Sequence, residues 1–145
     1  MNEERLFEVR FPAIPDRLCM VRALVKRAAE IVGCNKQLTE KLVIAVNEAC
    51  MNVIQHAYRG DDTGEIVMEI LNNDSQIKFL LKDFADPVDL ECVKPRDLDD
   101  VRPGGLGTHF IREIMDECEM GHLEEGKGNY LKMIKNLSME VGSIW

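Results

Sequence analysis

The sequence lacks any long apolar run. No stretch approaches the roughly 18 to 20 apolar residues that a membrane-spanning helix needs, although 46% of its 145 residues are hydrophobic. The opening segment, MNEERLFEVRF, also lacks the apolar region of a signal peptide. We therefore expect a cytoplasmic protein without a membrane partner, and the length suits a single domain over residues 1–145.

Paired cysteines and an excess of positive charge are absent too. The five cysteines are irregularly spaced and form no Cys-x-x-Cys pair, so they give no support for a zinc site. We expect them to be reduced and mostly structural, with Cys50 on the apolar face of a helix. The formal net charge of −8 disfavours a nucleic acid as partner, because phosphate backbones bind basic surfaces. A single nucleotide remains compatible, since it needs only a few local hydrogen-bond donors.

The hydrophobic pattern predicts amphipathic helices and strands grouped in hairpins. Alternating Phe7, Val9 and Phe11 predict a half-buried strand, and an apolar stripe of helical period predicts a helix that opens near Pro15 and closes at Gly33. The predicted elements, in chain order, are a strand over 5–11, helices over 15–33 and about 38–58, strands over 65–71 and 76–84, a helix opened by GGLG at 104–107, and strands over 118–124 and 129–137. This order favours a two-layer α/β (α+β) sandwich with a mixed, mostly antiparallel sheet and helices on one face.

The helix predicted over 38–58 carries three polar side chains in one line. Glu48, Asn52 and His56 follow one another at intervals of four, which places them on one helical face. With a rise of about 1.5 Å per residue, Glu48 and His56 are roughly 12 Å apart, too far to ligate one ion. Glu48 and Asn52 can converge on one site, where an amide oxygen suits Mg²⁺ and a carboxylate suits a general base. A solvated polar face is the alternative interpretation of the same spacing.

Later features suggest a ligand that bears phosphates. Asp83 ends a predicted strand, where its carboxylate either accepts a hydrogen bond from an amine such as that of adenine or forms a turn. A stretch of about 19 residues without a clear period follows, and a loop of that length is usually functional or disordered. GGLG at 104–107 begins the next helix, so its backbone N–H groups either approach phosphates or form a hinge.

One apparent phosphate motif is excluded. GHLEEGKG at 121–128 matches the start of a P-loop, but Gly128 stands where Ser or Thr is required. Glu124 and Glu125 would repel phosphate, and a strand pattern rather than a helix follows. The segment therefore predicts a hairpin turn.

The order of these features resembles a known family. A helix with NEACMNVIQHAY, two strands ending in Asp83, a long loop, and GGLGTHFIREIMDE at a helix start together resemble the Bergerat-fold (GHKL) ATPases, which include gyrase and histidine kinases. The chain looks most similar to the bacterial anti-sigma factor serine/threonine-protein kinases. The resemblance covers nearly the whole chain, and the NEACMNVIQHAY match is its most specific part.

The resemblance implies a role for residues at matching positions. Asn52 would be the Mg²⁺ ligand beneath the ATP phosphates, Glu48 the catalytic general base, and Asp83 the acceptor for the adenine amino group. Residues 86–103 would form a lid over the nucleotide. Its cations Lys94, Arg96 and Arg102 are alternatives for meeting the γ-phosphate. The remaining nucleotide-binding positions would be Ala85, Pro87, Arg102, Gly104, Gly105, Leu106, Gly107 and Thr108.

The sequence departs from the family pattern in three places. Ala85 replaces a glycine of the usual D-x-G-x-G, which adds a Cβ near adenine and resists positive φ. Thr108 stands where an apolar residue usually follows G-G-x-G. Asn129 stands after Gly128, where the family frequently has Thr, and its side chain can still form hydrogen bonds in a pocket.

By resemblance, the expected function is partner switching. The protein would be an ATP- and Mg²⁺-dependent serine kinase that phosphorylates a small antagonist protein, sequesters a sigma factor and forms a homodimer. Ala85 and Thr108 motivate an alternative, a nucleotide-gated regulatory binding module without significant kinase turnover. A histidine kinase catalytic domain fits less well, because 145 residues leave no room for the helical hairpin that carries the phosphoacceptor histidine.

Overall fold

The computed structural model describes residues 3–87, 111–124 and 127–137. Its regular elements are strand β1 (Glu4–Pro12), a 3₁₀ turn (Pro15–Arg17), helix α1 (Leu18–Val32), helix α2 (Lys36–Asn52), a π-helical turn (Val53–Ala57), and strands β2 (Glu65–Asn72), β3 (Gln76–Asp83), β4 (Glu117–His122) and β5 (Asn129–Asn136). A short helical segment covers 111–114. The predicted order of strands and helices is therefore confirmed in these parts of the chain.

The five strands form one sheet in the order β1-β2-β3-β5-β4. Every pair of neighbouring strands in the described residues is antiparallel, so this part of the sheet has no parallel component. Helices α1 and α2 share one hydrophobic core with one face of the sheet. The predicted two-layer fold is confirmed, and the hairpin predicted around 121–128 joins β4 to β5.

Local signals explain where the helices begin and end. Asn35 caps α2, because its side-chain oxygen accepts a 2.8 Å hydrogen bond from the backbone N–H of Leu38. This cap lets α2 begin at Lys36, slightly earlier than its apolar stripe indicates. Helix α1 ends at Gly33, whose φ of 100° is the left-handed conformation that favours glycine.

The end of the second helix differs from the prediction. A continuous helix was expected to about residue 58, but regular α-helix stops at Asn52 and a π-helical turn follows. The backbone N–H of Tyr58 therefore reaches Val53 O, at 3.0 Å. Arg59, with a φ of 54°, and Gly60, with a φ of 82°, then reverse the chain toward β2. Single π turns of this kind occur frequently at functional sites.

Strand β3 presents its apolar stripe to the helices through strict alternation. On β3, Ile77, Phe79 and Leu81 are almost completely buried, and Asp83 is the next residue of the same stripe. Ile111 and Met115 extend the core from the segment that follows residue 110. No helix within the described residues is long and apolar enough to cross a membrane.

Candidate functional site

Glu48 and Asn52 lie one helical turn apart near the end of α2. Both are half-buried, whereas Ala49 and Cys50 between them are buried in the core. Neither polar side chain makes a hydrogen bond or ion pair within the described parts of the chain. Asn47 differs, because its Oδ1 accepts a 2.9 Å hydrogen bond from Arg22 on α1. The amide of Asn47 is thus engaged in packing the two helices, whereas the carboxylate of Glu48 and the amide of Asn52 have no such partner in the described residues.

His56 does not join this pair. It is exposed in the π-helical turn, beyond the last α-helical residue Asn52. No cluster of three or more His, Cys, Asp or Glu side chains suited to a metal ion occurs in the described residues. Any metal site here would therefore depend on few protein ligands, as Mg²⁺ sites with phosphate oxygens and waters do.

Asp83 is a buried carboxylate at the end of β3, with 4% of its surface exposed. Its Oδ1 accepts hydrogen bonds from Asn129 Nδ2 at 2.8 Å and from the backbone N–H of Ala85 at 3.1 Å. Burial raises the pKa of Asp83, and the hydrogen bonds from Asn129 and Ala85 oppose that rise. A carboxylate offers about four acceptor positions on its two oxygens, so Asp83 keeps the capacity to accept a further hydrogen bond from a ligand amine.

Asn129 is the side-chain hydrogen-bond partner of Asp83. The sequence indicated only that Asn129 can form hydrogen bonds in a pocket. It is the first residue of β5 and pairs with Asp83 in the sheet register. Its amide Nδ2 also lies 3.2 Å from the carbonyl oxygen of Asp86. One side chain therefore connects the end of β3 to the first residue of the predicted lid.

Gly128 allows the two strands to approach at this point. Its φ is 149°, and a Cβ built on it would lie 2.2 Å from the carbonyl oxygen of Asp83. It would also lie 2.9 Å from Leu123 Cδ1. The Gly128-Asn129 dipeptide thus supplies both the space and the donor that the buried carboxylate requires.

Tyr58 also contacts the backbone beside Asp83, which the sequence did not predict. Its hydroxyl donates a 2.5 Å hydrogen bond to the carbonyl oxygen of Glu65 and accepts a 2.8 Å hydrogen bond from the backbone N–H of Phe84. Phe84 directly follows Asp83, so Tyr58 contacts the chain beside the candidate site. The residues are 26 positions apart, which explains why a local pattern could not reveal the contact.

The remaining predicted positions divide into two groups. Ala85 is half-buried and Pro87 is exposed, and they lie two and four positions after Asp83 along the chain. Among the described residues, the one non-glycine with positive φ is Arg59, so Ala85 lies outside the conformation that its Cβ would resist. The other predicted positions lie outside the described residues, namely Lys94, Arg96, Arg102, Gly104, Gly105, Leu106, Gly107 and Thr108.

Comparison with known proteins gives a consistent result. Residues 11–135 match the family described as histidine kinase-like ATPase domain. The serine-protein kinase RsbW of Bacillus pumilus is 32% identical, in an alignment that covers 97% of this chain and 91% of that protein. The serine-protein kinase RsbW of Bacillus subtilis is 29% identical, with 96% of this chain and 90% of that protein covered.

Solved structures share the fold at lower sequence identity. A chain of the SiaB–SiaC complex from Pseudomonas aeruginosa has a TM-score of 0.67 and 11% identity, and the match covers 92% of this chain and 91% of that one. The RsbU and RsbW domains of a Mycobacterium tuberculosis protein give a TM-score of 0.63 and 15% identity. That match covers 93% of this chain but spans only 32% of the Mycobacterium chain.

Proposed function

The chain belongs to the histidine kinase-like ATPase domain family and is related to the RsbW serine-protein kinases, and on that premise we propose that it is an ATP- and Mg²⁺-dependent anti-sigma factor kinase. In this proposal it transfers the γ-phosphoryl group of ATP to a serine of a small antagonist protein. It also sequesters a sigma factor, and it acts as a homodimer. The cited relatives are named serine-protein kinases, and the partners follow from the family resemblance.

The buried carboxylate of Asp83 is the observation that carries the proposal. Burying a carboxylate without a cation costs free energy, so a site that retains one has a use for it. Asn129 and Ala85 hold Oδ1 of Asp83 in place. In the proposal the carboxylate accepts a hydrogen bond from the exocyclic amino group of adenine, which guanine does not present at the same position.

Asn52 and Glu48 would serve the phosphate end of the same nucleotide. The amide oxygen of Asn52 is a hard donor on a half-buried, otherwise unengaged side chain, which fits a Mg²⁺ ion that takes its other ligands from phosphates and water. The metal would neutralise charge on the phosphates. Glu48, one turn earlier, would orient the serine hydroxyl of the antagonist and accept its proton as the hydroxyl attacks the γ-phosphorus.

The lid predicted over 86–103 and the glycines of GGLG complete the proposed site. Backbone N–H groups at Gly104, Gly105 and Gly107 would contact the phosphates, and a lid cation such as Arg102 would meet the γ-phosphate. Because catalysis of phosphoryl transfer depends mainly on positioning and charge neutralisation, these groups together would account for the activity.

Nucleotide binding provides the first test. ATP affinity is measured with and without Mg²⁺ for wild type, Asn52→Ala and Asn47→Ala. We expect Asn52→Ala to lose the Mg²⁺-dependent part of the affinity, because its amide would ligate the ion. Asn47→Ala is the matched control, since this half-buried asparagine on the same helix contacts Arg22 instead. A wild-type response to Mg²⁺ in Asn52→Ala would refute the assigned ligand.

Phosphoryl transfer provides the second test. Labelled ATP and Mg²⁺ are mixed with the protein and a candidate antagonist, and the phosphorylated product is followed over time. We expect Glu48→Ala to bind ATP but to transfer phosphate about 100-fold or more slowly, which is the usual scale for loss of a general base. Transfer at the wild-type rate would show that Glu48 has another role. Tight ATP binding by wild type without any product would instead favour the nucleotide-gated binding module.

A further inference from the structure

The hydroxyl of Tyr58 stands between two backbone groups at the ends of β2 and β3. It donates to the carbonyl oxygen of Glu65, the first residue of β2, at 2.5 Å. It accepts from the N–H of Phe84, the first residue after β3, at 2.8 Å. Both backbone groups are therefore satisfied by one side chain and not by each other.

The sheet register shows what this hydroxyl replaces. The last pair of the β2–β3 ladder is Ile66 with Asp83. Continuation of the same register would pair Glu65 with Phe84, because each step moves one residue back on β2 and one forward on β3. The Tyr58 hydroxyl takes the place of a direct bond between these two residues, so the ladder ends at Asp83. The chain beyond it is then free to turn, and the N–H of Ala85 reaches the carboxylate of Asp83.

The ring of Tyr58 is packed in a position from which its hydroxyl can bridge Glu65 and Phe84. Gly64 provides the space, since a Cβ added there would lie 2.3 Å from Cε1 of the ring. Burial raises the pKa of Tyr58, as does the nearby charge of Asp83, while the hydrogen bonds to Phe84 and Glu65 lower it. A phenol with its ordinary pKa near 10 is already protonated at neutral pH, and the net rise acts in the same direction, so the hydroxyl remains a donor to Glu65.

Tyr58 also joins the two ends of the proposed nucleotide site. It immediately follows the π-helical turn that begins after Asn52, and its own N–H bonds to Val53 O at 3.0 Å. Its backbone is thus anchored to the helix that carries Glu48 and Asn52, and its hydroxyl is anchored beside Asp83. We propose that the Tyr58 hydroxyl is a positioning group that sets the Asp83 carboxylate for recognition of the adenine amino group.

This inference rests on the proposed function, and it differs from a general stabilising role in one measurable respect. Substitution of a residue that only stabilises the fold would weaken the binding of every nucleoside triphosphate by the same factor. Substitution of a residue that positions Asp83 would selectively weaken the contact between Asp83 and the adenine amino group. The informative quantity is therefore the affinity ratio between ATP and purine riboside triphosphate, which is the same nucleotide without the 6-amino group.

The experiment measures both affinities for wild type, Tyr58→Phe and Tyr130→Phe, together with thermal unfolding of each protein. We expect wild type to prefer ATP by about tenfold or more, corresponding to one hydrogen bond to a charged acceptor. Tyr58→Phe should reduce that preference at least threefold while its thermal midpoint stays well above the assay temperature. Tyr130→Phe is the matched control, because it removes a phenol that hydrogen-bonds to Glu119 at 2.8 Å, on the hairpin of β4 and β5. Its preference should equal that of wild type.

A second variant, at Gly64, tests whether the position of the Tyr58 ring controls the preference for ATP. Gly64→Ala keeps the hydroxyl but displaces the ring, so its preference for ATP should also fall. An unchanged ratio in Tyr58→Phe would overturn the inference, and so would unfolding of this variant, because the hydroxyl would then be required by the fold as a whole. If wild type itself binds neither nucleotide, or both equally, the proposed function fails at Asp83 and not at Tyr58.

Discussion

The side-chain amide of Asn129 donates a 2.8 Å hydrogen bond to Oδ1 of Asp83, across the adjoining ends of β5 and β3. The carboxylate belongs by strand alternation to the stripe that fills the core, and the amide is its polar partner there. The pair therefore marks the place where the apolar stripe of β3 ends, on the helix-bearing face of the sheet. Its partners determine how the carboxylate titrates and what it can bind.

Asp83→Asn is expected to separate binding from stability. In the proposed site it removes the carboxylate that receives the adenine amino group, so the preference for ATP over purine riboside triphosphate should disappear. The free energy of unfolding at pH 7 should not fall, because asparagine keeps an oxygen acceptor for Asn129 and Ala85 and avoids the cost of a buried charge. Isothermal titration and urea unfolding measure the two effects. A clear loss of stability at pH 7 would contradict this account of the burial cost.

The same variant should change how stability depends on pH. Burial raises the pKa of Asp83 in the folded state above its unfolded value near 3.9. The folded state therefore binds the proton more tightly, and the contribution of this group to stability falls as pH rises between the two pKa values. Urea unfolding from pH 3.5 to 7 should show a weaker fall with pH in Asp83→Asn than in wild type. Identical profiles would indicate that the pKa of Asp83 is not raised by folding.

Asn129→Leu should leave the carboxylate buried without its side-chain donor. Loss of that donor costs about 1–3 kcal/mol of unfolding free energy at pH 7. The cost should shrink at acidic pH, because a protonated carboxyl is less expensive to bury. Adding Asp83→Asn to this variant completes a double-mutant cycle. A coupling free energy near zero would show that the contact contributes nothing.

Strand and helix positions were largely predictable because their signals are local. Alternation placed Phe7, Val9 and Phe11 on a strand, although Phe7 is 46% exposed, next to a register shift between Arg5 and Phe7. The glycine at 33 ended α1 where the apolar stripe ended. The same alternation reaches Asp83 along β3, so its inward direction was available in the sequence. The beginning of α2 depended on the side chain of Asn35 and moved by two residues.

Contacts between distant residues were not predictable in the same way. Asn129 and Asp83 are 46 positions apart, and they meet only because β5 pairs with β3 in one particular register. The π-helical turn before Tyr58 has no period that distinguishes it from α-helix in the sequence. The family resemblance supplied the proposed roles of Glu48 and Asn52, and the structure adds that neither side chain is engaged elsewhere in the described chain.

The cysteines should differ strongly in reactivity. Cys50 is completely buried on α2, and burial raises the pKa of its thiol to about 12, so very little thiolate exists at pH 8. Cys19 is exposed on α1 and should be alkylated much faster. Brief treatment with iodoacetamide followed by mass spectrometry compares the two sites, and the chain unfolded in guanidinium serves as control. Equal labelling of both thiols in the folded protein would contradict the burial of Cys50.

Gly128→Ala should damage the site more than substitution of a second glycine that also has a positive φ. Gly128 and Gly60 both have positive φ, at 149° and 82°, so alanine is strained at either position. Only at Gly128 would the new Cβ meet backbone, 2.2 Å from the carbonyl oxygen of Asp83, whereas nothing lies within 4 Å at Gly60. Gly60→Ala should therefore cost about 1–2 kcal/mol of unfolding free energy and leave ATP affinity unchanged.

Gly128→Ala is also strained by its positive φ and must in addition push β5 away from the end of β3. Because Asn129 follows directly, the displacement should lengthen its bond to Asp83 and weaken ATP binding beyond the loss of stability. Urea unfolding and ATP titration of both variants at one temperature separate the two effects. If both variants lose stability equally and bind ATP equally, close packing at Gly128 does not control the geometry of Asp83.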